Sequence, residues 1–315
     1  MVQTRQCKSR NILKDYAIAN PNTMNDLLFK YVFGSDRCKD ITIAFLNDIL
    51  GEVLKSPIKD LEFSQTEIPL EHTDVKEIRY DVSCNLKDGR LVQIEMQVRD
   101  EEDFDVRTLY YWARRFTYSL KKKKKYKDLP EVISLNILNF VHFEDKDEAF
   151  THGTLVDTKT GKIIDNHISI NFLEIPKFRE HEDLTVQEMW MAYFHPKISM
   201  ADKRRLTMNA PQIQSACDNV EKYFSNDERF QLYEDHELAQ LDYESSLQNR
   251  YDKGHNDGVI EGRNEGRNEG RLEEKQDLVM TMLEHKYAMS EITLLSKFSE
   301  QEIREIAKKN GFFIP

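Results

Sequence analysis

The chain has 315 residues, 39% hydrophobic and 32% charged, with a formal charge of −11; that length holds one large domain or two ordinary ones, and the mix is that of a soluble globular protein. The acidic balance excludes a protein that coats nucleic acid by bulk electrostatics, but not one that grips phosphate through a local basic patch. No window supplies the roughly 18 apolar residues that span a bilayer, the opening residues lack the apolar segment of a secretory signal, and the four cysteines (Cys7, Cys38, Cys84, Cys217) form no C-x-x-C pair, which leaves neither a zinc ribbon nor a disulfide framework and points to a reducing cytoplasm.

Residues 1–20 read as a polar lead-in. Asn22-Thr23 then stand before Met24, Leu27, Leu28, Val32 and Phe33, an apolar set at helical spacing that Gly34 ends. A second helix is expected over about Lys39–Leu50, stopping at Gly51, and a strand near Leu61–Ile68. Beyond an informative stretch at 77–99, a helix is expected from about Asp103 to Leu120, with Leu109, Trp112, Ala113, Phe116 and Leu120 as its buried face. Five consecutive lysines, Lys121, Lys122, Lys123, Lys124 and Lys125, end it. The nearly continuous apolar run Glu131–Val141 reads as a central strand covered on both sides. Two further strands fit Phe150–Thr158 and His167–Ile175 around a Thr160-Gly161 turn. From about Leu184 to Gln248 the pattern is helical, broken at Pro196 and Pro211.

The stretch EIRYDVSCNLKDGRLVQIEMQV alternates with period two on both sides of Asp88-Gly89, the pattern of a β-hairpin. A two-residue loop would set Val82 against Glu95 and Asp81 against Met96, mixing apolar and polar residues on each face. A three-residue loop, Lys87-Asp88-Gly89, pairs Cys84 with Val92, Val82 with Ile94 and Tyr80 with Met96. It places Gly89 where a bulge needs a left-handed residue. In that register Asp81 lies opposite Glu95. Directly opposed carboxylates repel, and a shared proton, a basic neighbour or a divalent cation must offset the repulsion. The alternative is a solvated face on which the two splay apart. Ser83, Gln93 and Gln97 share that face, with no lysine or arginine of the two strands between the pair. One or two carboxylates are what a Mg²⁺ (or Mn²⁺) site takes, leaving positions for water and phosphate.

An Asp, a hairpin turn, and then Glu95-Met96-Gln97 on the returning strand resemble the PD-(D/E)XK nuclease signature. MNDLLFKYVFGSD (24–36), RYDVSCNLKDGRLVQIEMQ (79–97), Arg107 with Tyr110-Tyr111, and YKDLPEVISLNIL (126–138) occur in the order and spacing of the recombination-promoting nuclease/putative transposase family. The resemblance covers about residues 20–250. It implies an α/β fold, a restriction-endonuclease-like core of a mixed sheet flanked by helices, with a helical C-terminal extension. It implies a metal-dependent DNA endonuclease linked to recombination or mobile elements. Asp81, Glu95 and Gln97 are then the catalytic residues, and Asp81, Glu95 and the first-helix Asp26 the metal ligands. Gln97 departs from the lysine of the broad signature; an amide orients water by hydrogen bonds but carries no charge.

Several of these residues also have plainer roles. Asp26 and Lys30 are spaced as a helical i,i+4 surface pair. Arg107, Tyr111, Arg114 or Arg115, and Tyr118 form a stripe able to hold phosphate or stack on a base, with Arg107 and Tyr111 favoured, or else a solvated outer face. Lys121–Lys125 either grip the DNA backbone or form a solvated loop. A nuclease fold kept for DNA binding or assembly, with weak catalysis, is the second expectation. A carboxylate-pair glycosidase is a third, with little aromatic sugar platform near the pair.

Gly254, Gly258, Gly262, Gly266 and Gly270 recur every fourth residue, and a helix there carries separate stripes of Gly, Glu and Arg. No Glu of that stripe lies three or four residues from an Arg of its neighbour, so the repeat does not satisfy its own charges. It is either a homo-oligomer contact or a flexible linker. The expected organisation is a lead-in over 1–20, a nuclease core over 21–180, a helical extension over 181–250, the repeat over 251–272 and a small helical module over 273–315, with a capping box at Ser299 and Glu302.

Overall fold

The computed structural model describes residues 12–68, 78–120 and 125–314. A helix through residues 12–19, α1, leads to α2 (Asp26–Phe33). The cap of α2 is Asn25, whose side-chain oxygen accepts from the Leu27 and Leu28 N–H groups, and not the expected Asn22-Thr23. Those two serve long-range contacts: Asn22 donates to Glu237 at 3.1 Å and Thr23 to the Tyr193 carbonyl at 2.8 Å. All three types can cap, and the tertiary partners decide between them. After Gly34 comes α3 (Lys39–Leu50), with the bounds the sequence predicts.

The described strands are β1 (Leu61–Phe63), β2 (Glu67–Ile68), β3 (Ile78–Arg79), β4 (Val82–Leu86), β5 (Leu91–Gln97), β6 (Val132–Leu138), β7 (Phe150–Val156) and β8 (Ile163–Glu174). Six make one mixed sheet in the order β1-β4-β5-β6-β8-β7, and β2 pairs with β3. The β5–β6 and β6–β8 ladders are parallel; the others are antiparallel. A parallel pair needs a crossover, and α4 (Phe104–Tyr118) makes the one between β5 and β6. All seven residues of β6 are buried, as a strand covered on both faces must be.

The hairpin register is the one that apolar alternation dictates. Val82 pairs with Ile94 and Cys84 with Val92. The Leu86 N–H reaches the Arg90 carbonyl at 2.9 Å, and Gly89 has φ +92°, a left-handed conformation that glycine adopts without a Cβ penalty. Val82, Cys84, Leu86, Val92 and Ile94 share one core with Phe29, Phe33, Phe45 and Trp190.

Helices α5 (Val186–Phe194), α6 (Met200–Leu206) and α7 (Pro211–Phe224) follow. They contribute Trp190, Phe194, Met200, Ile213, Val220 and Phe224 to that same core, so they close the sheet's hydrophobic face. Packing divides the chain into Met1–Glu237 and Leu238–Pro315. The boundary falls inside α8 (Asp227–Glu284), a helix that runs unbroken through the glycine repeat. The second unit has a small core of its own, in which Val279, Met282 and Leu283 meet Ile292 of α9 (Met289–Ser296) and Ile303 and Ala307 of α10 (Glu300–Lys309). Ser299 and Glu302 form the expected capping box. No described helix is long and apolar enough to cross a membrane.

Candidate active site

The end of the hairpin away from its turn gathers acidic groups from three elements. The ladder stops at Val82–Ile94, and the chain bends at Asp81. The Asp81 carboxylate accepts the Met96 N–H at 2.8 Å, which ties it to the residue that follows Glu95 on β5. Tyr80 leaves the apolar face expected of it. Its hydroxyl donates to the Tyr111 carbonyl of α4 at 2.9 Å, and its ring meets the Tyr111 ring edge-on.

Asp26 and Lys30 of α2 complete the cluster. Lys30 Nζ lies 2.7 Å from Asp26 Oδ1 and 3.4 Å from Asp81 Oδ1. The i,i+4 pair legible in the sequence is therefore real, and it is also more than a surface pair. The basic neighbour that the opposed carboxylates demanded comes from a helix, and not from between the strands. Gln97 donates a side-chain N–H to the Arg99 carbonyl at 2.8 Å, which engages one of its two amide hydrogens at the end of β5.

Electrostatics follow from this crowding. Burial, and then the Asp81 charge, raise Glu95 well above the ordinary carboxylate range; Lys30, the Asp81 N–H and Arg107 oppose them. Burial and a hydrogen bond with Asp26 push Asp81 up to about 7 against the Met96 N–H and Lys30. Burial raises Asp26 too, but its bonds with Asp81 and Lys30 outweigh that and hold it below the usual value. The two acids are thus shifted in opposite directions, Asp81 up and Asp26 down.

A divalent cation suits this donor set. Glu95 Oε1 is buried and has no hydrogen-bond partner. Carboxylate oxygens are what a hard cation takes, and two are enough for Mg²⁺. Among the described residues, no three His, Cys, Asp or Glu side chains converge as a ready metal cluster. Lys30 pairs with both Asp26 and Asp81, so a cation shared by the two would compete with that ammonium.

Helix α4 supplies the rest. Arg107 pairs with Glu101 and, at 3.9 Å, with Asp103. Its charge reaches both Glu95 and Tyr111. The buried face of α4 is Phe104, Thr108, Trp112 and Arg115, while Leu109 is exposed. Apolar periodicity misplaces this face because the sheet side it meets is polar: Arg115 bonds Ser64 and Asn85, and the Trp112 indole bonds the Val132 carbonyl. Lys121–Lys124 lie outside the described residues, and Lys125 is exposed. Lys30 as a member of the site and Arg115 as a buried cation escape sequence reading, since each depends on which strand the helix crosses.

No curated protein and no solved structure matches the chain. The family model for the PD-(D/E)XK nuclease family transposase matches residues 23–250, a span that includes Asp26, Asp81, Glu95, Gln97 and Arg107. With a mixed sheet, flanking helices and a carboxylate pair at the open end of its β-hairpin, the chain belongs to the PD-(D/E)XK nuclease family transposase family.

Proposed function

We propose that the protein is a metal-dependent DNA endonuclease, with Asp81 and Glu95 as the ligands of Mg²⁺ or Mn²⁺ and Asp26 as a third. The observation that carries this reading is the placement of Asp81 and Glu95 one step beyond the Val82–Ile94 pair at the open end of the hairpin, with Glu95 Oε1 buried and unpartnered. A buried carboxylate oxygen without a donor is costly, and cation binding offsets that cost. When bound, the ion supplies an acidified water and neutralises charge on the phosphodiester. Gln97 orients the attacking water through the side-chain groups that Arg99 leaves available. Lys30 brings to the site the positive charge that position 97 lacks. Arg107 and Tyr111 of α4, together with Lys121–Lys125, hold the DNA backbone. Linkage to recombination or mobile elements follows from the family.

The decisive assay is plasmid nicking with Mg²⁺, with EDTA and with Asp81→Asn. Nicking should need the metal and be lost in the variant; nicking untouched by both treatments overturns the assignment. One observation favours a second reading, a DNA-binding or assembly protein with weak catalysis. Lys30 already pairs with Asp81, so the fold tolerates the acid without an ion. DNA binding without nicking in any divalent metal would select that reading.

Homo-oligomerisation through α8 belongs to the same proposal. Gly254, Gly258, Gly262, Gly266 and Gly270 are exposed, with open space where a Cβ would stand. Among the described residues, no ion pair joins the Glu and Arg of the repeat. A second copy approaching along the glycines would pair those charges. Light scattering on a chain truncated at Gln248 tests this, and a dimer that survives truncation removes the idea.

A further inference from the structure

The polar face of the hairpin extends past the acid pair to a cavity of about 660 Å³ beside the turn. Two nearly buried arginines line it. Arg115, 8% exposed, donates to Ser64 Oγ at 3.0 Å and Asn85 Oδ1 at 3.1 Å. Both partners are neutral, and its Nε is buried with no acceptor. Arg90, 7% exposed, bonds Asp88 at 2.7 Å and the Ser56 carbonyl at 3.0 Å, leaving Nη1 buried and unpartnered.

The carboxylates that line the same cavity are already engaged. Asp88 holds Arg90, Asp128 accepts the Lys125 N–H at 3.1 Å, and Glu131 pairs with Lys55 at 2.9 Å. Among the described residues, no carboxylate pairs with Arg115. A buried guanidinium with only neutral partners is costly. Its planar fork of donors matches a phosphate oxyanion better than any other common ligand.

The cavity's place along the fold indicates which phosphate. Asn85 pairs with Leu91, four residues before Glu95 on β5, which is about 13 Å at the rise of a strand. On α4, Arg107 is close enough for its charge to act on Glu95, and Arg115 follows eight residues later, about 12 Å along a helix. Strand and helix thus give the same separation between the acid pair and the cavity.

We propose that this cavity binds a second phosphate of the DNA strand being cut, with Arg115 as principal donor and Arg90 beside it. The inference rests on the nuclease reading of Asp81 and Glu95. At about 3.4 Å of axial rise per nucleotide, the second phosphate lies up to about four nucleotides from the cut. Arg115 is then a binding residue that sets the path of the strand.

The test is fluorescence anisotropy of the full chain with a labelled 20-base-pair duplex in EDTA, over a range of salt. Arg115→Gln should weaken binding about fivefold or more and reduce the slope of log affinity against log salt by about 0.9, the loss of one phosphate contact. Thermal melting checks that the variant folds. A single-phosphate methylphosphonate scan of the duplex needs no protein variant, and should show a second sensitive position two to four nucleotides from the cut. A folded Arg115→Gln with unchanged affinity and slope, or a scan sensitive only at the cut, overturns the proposal. If Asp81→Asn still nicks while Arg115→Gln still loses slope, the cavity stands and the nuclease assignment of the acid pair fails. A protein that binds no duplex overturns both.

Discussion

Asp81→Asn should stabilise the metal-free protein, and should do so more strongly as pH rises. In the unfolded chain an aspartate titrates near 3.9, whereas burial and the bond with Asp26 push folded Asp81 up to about 7. Below about pH 4 both states keep the proton and the raised value is harmless. Between there and about pH 7 the unfolded chain releases a proton that the folded state retains, so stability falls with rising pH. Above about pH 7 the loss is complete. The side chain is 17% exposed, so solvent screening is weak. A rise of about three units corresponds to about 4 kcal/mol in all, of which about 2–3 kcal/mol develops between pH 5 and pH 8. For a unit of 237 residues, Met1–Glu237, that is a melting difference of about 5–10 °C. Asparagine keeps an oxygen for the Met96 N–H and leaves Lys30 its closer partner, Asp26. It also removes the charge that raises Glu95. The lowered value of Asp26 acts below pH 4, outside this window.

The assay is differential scanning fluorimetry of wild type and Asp81→Asn at pH 5 and pH 8, in EDTA and in Mn²⁺. In EDTA the variant should gain several degrees at pH 8 and little at pH 5. In Mn²⁺ the wild type alone should gain, since ligand binding to the folded state stabilises it. A variant that melts lower than wild type at pH 8 in EDTA would refute the claim that these carboxylates are held together at a cost.

Other substitutions probe neighbouring parts of the argument. Lys30→Met removes the ammonium that lowers Asp81 and Glu95, so the pH midpoint of metal-dependent nicking should rise by about one unit; an unchanged midpoint separates Lys30 from the site. Lys203 is fully buried and donates to the His195 carbonyl at 2.8 Å and to the Tyr193 carbonyl, so Lys203→Met should cost about 2 kcal/mol in urea unfolding through loss of charged hydrogen bonds. Replacing Gly258, Gly262 and Gly266 by alanine should raise the helical signal of a monomer, by about 0.8–1 kcal/mol of helix stability per site, because nothing lies within 4 Å of the added methyl. A loss of mass in light scattering would show instead that a partner packs there.

The hairpin was legible because period two leaves one register in which apolar residues face one another. The seven buried residues of β6 were legible because an unbroken apolar run leaves little else for a strand to be. The cap of α2 was not, since Asn22, Thr23 and Asn25 are all residue types that cap and the apolar spacing does not choose among them. The buried face of α4 was misread for a related reason. Helical periodicity ranks positions by apolarity, and Arg115 is buried against polar side chains of the sheet. In the site, the sequence gives the carboxylates their nearness, and it is silent on Lys30, whose ion pair with Asp81 spans α2 and the start of β4.

That silence bears on how position 97 is understood. A lysine two residues after Glu95 would share its face of β5 and meet it directly. A glutamine there, tied to the Arg99 carbonyl, leaves the strand without a charge, yet Lys30 lies 3.4 Å from Asp81. The two arrangements differ in what a cation must do to enter. A lysine on the strand would flank the ion, whereas Lys30 pairs with both Asp26 and Asp81 and would compete with it for them. On the proposed function, metal binding is therefore coupled to displacement of an ammonium and, through the raised Asp81, to pH. Lys30→Met then separates two effects that a strand lysine would combine. It should ease entry of the ion above pH 9, where Asp81 is ionised with or without that ammonium, and weaken binding below pH 7, where Asp81 ionisation depends on it. Calorimetric Mn²⁺ titrations of wild type and variant at the two pH values should therefore differ in opposite directions, and a change of the same sign at both would mean that Lys30 only balances charge from outside the site.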